Sequence, residues 1–392
     1  MKRLRLAALF MVVALAISAC ATGTKAPGTP GSENKPATAP AEAIKIGLAV
    51  TLTGSGALVG QTAANGARLA VAQINAAGGV NGRQLQLLEE DTGLDNTSAV
   101  NAVNRLISNG IVALVGPLVS TQGNAIGPIV VKEQIPTIIR GVTVDIKPYA
   151  PWVYRFASHG RLQSLAMVTR LVDDLGLKKI AIVYSNDEYG KANAAIAQGY
   201  LKDRGLQPVA VEAWGLLDKE FSAQLAKLRD ADGVVQLGIG DGVALMMKQR
   251  TAMGIKAPWA STAIITNQAT LNLFTDEDVN GAYVALEGTF ASNESDLAKK
   301  MKQEFQAKFK ETPDTNSAIY YDGVFILTEA IKKAGSTDKV AVRDALKNLK
   351  GLEGVNCVYN MDADGESCQM MGLYQFDKKT VKKIAVYDFG KK

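Results

Sequence analysis

The chain of 392 residues has one histidine, His159, and three cysteines, Cys20, Cys357 and Cys368. A lone histidine leaves little room for a hydrolytic triad, which needs an imidazole beside a nucleophile. The Gly-x-Ser-x-Gly elbow is also missing. No His/Cys cluster has metal-ligand spacing, and no Gly-Lys-Ser/Thr phosphate loop occurs, so no metal or cofactor is expected. An excess of one charge is lacking too. The formal net charge is +5, and setting aside Lys2, Arg3 and Arg5 in the leader leaves 40 basic against 38 acidic residues, a net of +2. That balance gives no electrostatic reason for nucleic acid as a partner. Beyond residue 20 no apolar run is long enough to span a bilayer. The pattern points away from an enzyme and toward binding.

What is present begins with the leader. Lys2-Arg3-Leu4-Arg5 precedes the apolar stretch Leu6 to Ile17, and Ile17-Ser18-Ala19-Cys20 resembles a bacterial lipobox. Residues 1–20 therefore read as a lipoprotein signal peptide, with Cys20 as the lipidated residue. Residues 21–43 hold Pro27, Pro30, Pro36 and Pro40 and no large apolar side chain. Such a segment cannot bury enough surface to fold and reads as a tether.

The folded part reads as α/β. Ile44 to Val50 is a strand, Gln61 to Ala77 a helix stopped by Gly78-Gly79, Gln84 to Glu90 a strand, and Asp95 to Asn109 a helix. The focal unit is Ile111 to Lys132. Its apolar run Ile111 to Val115 suits a strand buried on both faces. Gly116-Pro117 ends that run, and Ser120-Thr121 opens a helix with two good N-cap residues. Hydroxyls and free N–H groups then collect past the carboxyl end of a strand, where open α/β sheets bind small anionic ligands. Strands follow near Ile135 to Ile139 and Trp152 to Phe156. A second series of strands and helices runs from Leu162 to Ala260, which predicts two doubly wound parallel sheets. After Asn280 come a strand, three helices and a hairpin-like closing segment.

Two glycine patterns resemble nucleotide loops and are read otherwise. Gly54-x-Gly56-x-x-x-Gly60 starts too far after its strand for a dinucleotide turn, and it suits a cleft-shaping loop in which Ser55 could reach ligand. Gly238-x-Gly240 lacks the third glycine, because Val243 stands there. Cys357 and Cys368 flank the turn signal Met361 to Gly365. They are either bridged across a hairpin or left as two buried thiols; export permits the bridge. Tyr320-Tyr321 are expected as packing residues.

The segment IKIGLAVTLTGSGALVGQTAANGARLAVAQINAAGGVNGRQLQLLEEDT resembles the opening of type I periplasmic binding proteins of the leucine/isoleucine/valine-binding family. Asp187-Glu188-Tyr189-Gly190, Asp218-x-x-x-Phe221-Ser222 and Tyr321-Asp322 continue the likeness, which runs from Ile44 to Phe389. The resemblance implies two doubly wound parallel-sheet lobes joined by a three-crossing hinge. Lobe 1 would comprise 44–157 plus 286–354, and lobe 2 158–285 plus 355–392. It also implies an exported lipoprotein that captures a small-molecule ligand and delivers it to an ABC transporter membrane permease. A sensing module of the same fold is the alternative.

For the site, the resemblance implies a carboxylate seat at Ser120 and Thr121, completed by the Gly141 carbonyl and the Thr143 hydroxyl, with Tyr189 as an aromatic wall. A lone histidine is usually structural, but in the resembled fold His159 faces the cleft, beside Arg161; Arg140 is a further candidate. One departure matters. Amino-acid binders of the family carry an acid after the strand near Trp259 to pair with the ammonium, whereas Ala260 to Ile264 here has none. Asp241 is the nearby substitute; otherwise the ligand is not an α-amino acid.

Overall fold

The structure, a computed structural model, describes residues 42–390 except the side chains of residues 55, 268 and 269. Cys20, and the tether up to residue 41, lie outside the described residues. The chain alternates β1 (Ile44–Val50), α1 (Ala57–Ala76), β2 (Leu85–Asp91), α2 (Asn96–Ser108), β3 (Ala113–Val115), α3 (Ser120–Lys132), β4 (Thr137–Ile139) and β5 (Val153–Ser158). A second series follows: α4 (Arg161–Val168), β6 (Ile180–Ser185), α5 (Glu188–Lys202), β7 (Ala210–Trp214), α6 (Ser222–Lys227), β8 (Gly233–Leu237), α7 (Gly242–Ala252) and β9 (Trp259–Ser261). Two four-residue helices, α8 (Gln268–Leu271) and α9 (Asp276–Val279), precede β10 (Tyr283–Glu287). Then come α10 (Asp296–Phe309), α11 (Thr315–Ala334), α12 (Lys339–Lys347), β11 (Leu352–Glu353), β12 (Val358–Tyr359), β13 (Glu366–Cys368), β14 (Met370–Asp377) and β15 (Thr380–Asp388).

The strands form two main sheets, ordered β13-β5-β4-β3-β1-β2 and β15-β14-β10-β9-β8-β6-β7. Pairing is parallel throughout the first sheet, while β14 runs antiparallel to both β10 and β15 in the second. The chain changes sheet three times: between β5 and β6, after β10, and between β13 and β14. The third change differs from the expected boundary. The resemblance puts residues 355–368 in the second lobe, yet β13 pairs with β5, placing Glu366 opposite Arg155. The turn signal at 361–365 sends the chain back along the first sheet before it leaves at Gln369. Within the second series, α6 is short, covering only Ser222–Lys227, and α4 gives way to a wider-turned helix over Thr169–Asp174.

Small residues govern how the helices seat. On α1, Ala63, Ala64, Gly66 and Ala67 are buried beneath α11; a Cβ at Gly66 would lie 2.0 Å from the Ser317 carbonyl oxygen. At Gly60 a Cβ would lie 1.6 Å from the Thr51 oxygen, so only glycine lets α1 begin directly over the end of β1. On α11, Tyr320 is fully buried and meets Phe156 edge-on at 5.2 Å, so it packs in the core. Asp322, two residues further and 1% exposed, accepts from Val355 N, Asn356 N and the Tyr359 hydroxyl, each at 2.8 Å. Burial pushes this carboxyl up to about 7, against the opposing pull of those donors. Gly354 is required beside it, since a Cβ there would sit 2.4 Å from Asp322 Oδ2. Cys357 and Cys368 are joined by a disulfide that closes this returning segment.

Gly60→Ala is expected to destabilise the protein by about 1–3 kcal/mol, the cost of forcing atoms into a filled contact. Urea unfolding measures it; an unchanged midpoint and slope would contradict the close approach at Thr51.

Candidate functional site

The carboxyl ends of the first sheet's strands are built by specific backbone contacts. Asp91 ends β2 and accepts from Leu52 N at 2.8 Å, Gly93 N at 2.9 Å and Thr53 Oγ1 at 2.5 Å. Burial works against this carboxylate, but the three donors prevail and hold it below its ordinary value. The loop after β1 is thereby fixed to the loop after β2. At the end of β3, Gly116 has φ 107°, and a Cβ on it would lie 2.0 Å from the Ala49 oxygen. The chain turns there and enters α3. Gln122, buried on α3, donates to the carbonyls of Thr92, Gly93 and Asp95, which ties the helix start to the second loop.

Ser120 and Thr121 do not cap this helix. The N-cap is Val119, and no side chain fills that role. The hydroxyls are therefore not used up in capping. Ser120 Oγ accepts from Thr143 N at 3.4 Å, whereas Thr121 is exposed. Gly141 is buried, and its carbonyl accepts from Val144 N at 3.1 Å, so it closes a turn. That turn leaves Thr143 exposed. Val142 O accepts from Gly160 N at 3.0 Å, which docks the Thr143 loop on the β5–α4 connection.

His159 sits in that connection. Its Nδ1 accepts from Arg161 N at 3.0 Å, so the neutral ring carries its proton on Nε2. Burial lowers its pKa to about 4, assisted by Arg155 and Arg161. His159 is thus a neutral hydrogen-bond donor at pH 7. Thr143, His159 and Arg161 line one cavity of about 440 Å³. Its other wall comes from the return segment, where Glu366 pairs with the fully buried Arg155 at 3.0 Å and Asp364 pairs with Lys147 at 2.9 Å. Glu366 is raised by burial, with Arg155 pulling it back.

On the second sheet, Asp187 caps α5 through Gly190 N at 3.2 Å. Tyr189 follows; its hydroxyl donates to Gln163 Oε1 at 2.7 Å, and Gln163 Nε2 donates to Ala285 O at 3.0 Å. Burial raises the Tyr189 hydroxyl far above its usual value, so it stays protonated. Asp241 lies on an exposed turn at the start of α7 and makes no side-chain cap bond. The structure thus joins Ser120, Gly141, Thr143, His159 and Arg161 into one wall. It sets Tyr189 apart on the other sheet and leaves Asp241 in solvent. The Ser55 side chain is not among those described.

Sequence reasoning missed Lys147, Gln163, Glu287, Asp364 and Glu366. Arg140, weighed as a ligand group, instead pairs with Glu287, Nη2 lying 3.0 and 3.1 Å from the two carboxylate oxygens. Those partners are separated by 147 residues, and nothing local in the sequence marks them. Among the described residues no group of acids, histidines and cysteines is arranged to hold a metal ion.

The family described as periplasmic binding protein matches residues 43–380 of the chain. The chain is 27% identical over 334 residues to Leu/Ile/Val-binding protein homolog 2 of Brucella abortus (strain 2308), a match covering 82% of this chain and 87% of that protein. It is 26% identical over 313 residues to a leucine-, isoleucine-, valine-, threonine-, and alanine-binding protein of Pseudomonas aeruginosa, covering 78% and 83%. Among solved structures, it is similar to the branched-chain amino acid transporter substrate binding protein LivJ from Streptococcus pneumoniae in complex with isoleucine. That match has a TM-score of 0.71 and 26% identity, and it covers 88% of this chain and 98% of the other. The sheet architecture and these matches together establish that the chain belongs to the periplasmic binding protein family, as a type I member of the leucine/isoleucine/valine-binding-like kind.

Proposed function

We propose that this protein captures a small polar solute outside the cytoplasm and presents it to an ABC importer. The solute is a branched-chain amino acid, or an amide or carboxylate of similar size. The observation that carries this reading is the convergence of unspent donors on one wall: the Ser120 and Thr143 hydroxyls and the neutral His159 imidazole, beside a cavity of about 440 Å³. A carboxylate there would accept hydrogen bonds from groups already held in place, which limits the ordering cost of binding. Arg161 adds a cation to the same wall.

The apolar part of the solute has a matching surface. Leu58, in the first turn of α1, is 81% exposed, and Leu94, on the loop after β2, is 49% exposed. Large apolar side chains left open at a cleft mark surface that binding covers. Closure of the two sheets about the three connections would bring the Tyr189 side onto the ligand, and ligand contacts to both sides would favour the closed state. The lipobox supports anchoring of the protein to the cell membrane through Cys20. The second side offers no acid between 260 and 264, and Asp241 is solvent-facing, so amides and simple carboxylates stand beside amino acids as candidate solutes.

A thermal-shift screen across amino acids, amides and carboxylates is expected to find a stabilising solute, because a bound ligand raises stability by mass action. Ser120→Ala and Thr143→Ala should each weaken that solute by about 1–3 kcal/mol, the loss of one buried hydrogen bond, without unfolding the protein. Unchanged affinity in both would remove this wall from the site.

His159 gives a second check. As the chain's only histidine, its imidazole signal in an untagged sample needs no assignment. Its midpoint is expected near 4, well below the ordinary 6.5. A base with a lowered folded pKa binds fewer protons when folded, so stability should fall as pH drops from 6.5 toward 4. A midpoint at 6.5 would show that His159 is solvated rather than held in the wall.

A further inference from the structure

The amino ends of β8, β9 and β10 lie at the opposite edge of the second sheet from the Tyr189 turn. A cavity of about 320 Å³ opens there, lined by Arg250, Lys256, Trp259, Glu277 and Tyr283 among others. Trp259 and Tyr283 are the first residues of β9 and β10. Arg250, in the last turn of α7, is only 7% exposed. Its guanidinium lies over the Trp259 ring, 5.0 Å from the centroid, and Nη2 donates to the Asp278 carbonyl at 3.3 Å. Nε is buried and makes no hydrogen bond with any described residue. No described carboxylate forms an ion pair with it. Asp278 exerts an electrostatic pull on it, but its carboxylate is committed to Thr275, accepting from N at 2.7 Å and Oγ1 at 2.9 Å.

The other buried arginine among the described residues differs in having a carboxylate partner, although its Nη1 also lacks a hydrogen bond. Arg155, fully buried, has Glu366 against it. Arg250 carries its charge into the interior with one carbonyl, one aromatic face and a cavity. Buried cations are ordinarily paired, since an unpaired one costs several kcal/mol. A planar guanidinium that lines a cavity without a carboxylate partner suits a planar two-oxygen anion. Lys256, exposed at the mouth, adds a second positive charge; Glu277, also exposed there, opposes it. Ile255 and Pro258 supply an apolar lining.

We propose that this cavity is a second ligand site, separate from the solute cleft, which binds a small carboxylate with its oxygens on Arg250 and a short apolar body against Ile255 and Pro258. The site is independent of the Ser120–Thr143 wall and stands or falls without it.

The test uses isobutyrate as the probe, isobutyramide as its uncharged counterpart and inorganic phosphate as a competing anion, all at one ionic strength. Dissociation constants come from the concentration dependence of the melting temperature. Isobutyrate should stabilise both the wild type and a Ser120→Ala/Thr143→Ala variant, and in that variant, whose cleft is impaired, isobutyramide should not. Arg250→Met should weaken isobutyrate binding by about tenfold or more, while binding of the cleft's solute is unchanged. Because a core variant can misfold, two exposed positions provide a parallel reading: Lys256→Gln should weaken isobutyrate severalfold and Glu277→Gln should tighten it. Absence of isobutyrate binding to the wild type overturns the proposal. So does equal binding of the amide by the Ser120→Ala/Thr143→Ala variant, tighter binding of phosphate by that variant, or indifference to both exposed substitutions.

Discussion

The buried carboxylate of Asp322 is the point on which the first sheet's geometry depends. It sits on α11 and accepts from Val355 N, Asn356 N and the Tyr359 hydroxyl. Leaving those donors unmet in the interior would cost the full desolvation of each. The segment from 354 to 359 is therefore held against α11, and the disulfide from Cys357 carries that constraint on to Cys368 in β13. With β13 beside β5, Glu366 reaches Arg155, and Asp364 reaches Lys147. Arg155 also donates to the Val144 carbonyl, so the Thr143 turn is braced from beneath. A carboxylate far from the cleft thus shapes the wall on which Thr143 and His159 lie.

The cleft wall works through groups that are placed but not saturated. Val119 begins α3 without a side-chain cap, which leaves the Ser120 and Thr121 hydroxyls available. The His159 ring is held by one backbone N–H and kept neutral by burial and neighbouring arginines. Across the sheets, Arg140 and Glu287 neutralise one another, and Tyr189 is fixed through Gln163 to β10. Groups that could compete for a solute's charge are occupied with each other, and those facing the cavity keep hydrogen-bonding capacity. That division suits the reversible receptor proposed here: order before the ligand arrives, and donors left over for it.

Much of the fold was legible because it is local. The apolar runs of β1, β3, β6 and β8, the glycine stops after α1 and α2, and the alternation of strands with helices all announce parallel sheets in short windows. The Ser120 unit is legible as strand, turn and helix; its N-cap is not, since Val119 and neither hydroxyl residue takes that position. What stayed hidden is long-range. The return of 355–368 to the first sheet depends on Asp322 reaching across 33 and 34 residues to two amides. Arg155–Glu366 spans 211 residues and Arg140–Glu287 spans 147. Pairings of that kind leave no period or spacing in the chain. Asp241 shows the converse: a sequence-adjacent acid after a strand, with a backbone that turns it into solvent.

A crystal structure of the protein with the most stabilising solute bound tests the central claim most directly. The account predicts the solute's polar end within hydrogen-bonding distance of Ser120 Oγ and Thr143 Oγ1, with His159 Nε2 on the same side and Tyr189 closed over it. A solute seated away from Ser120 and Thr143, with those hydroxyls still facing water, would contradict it.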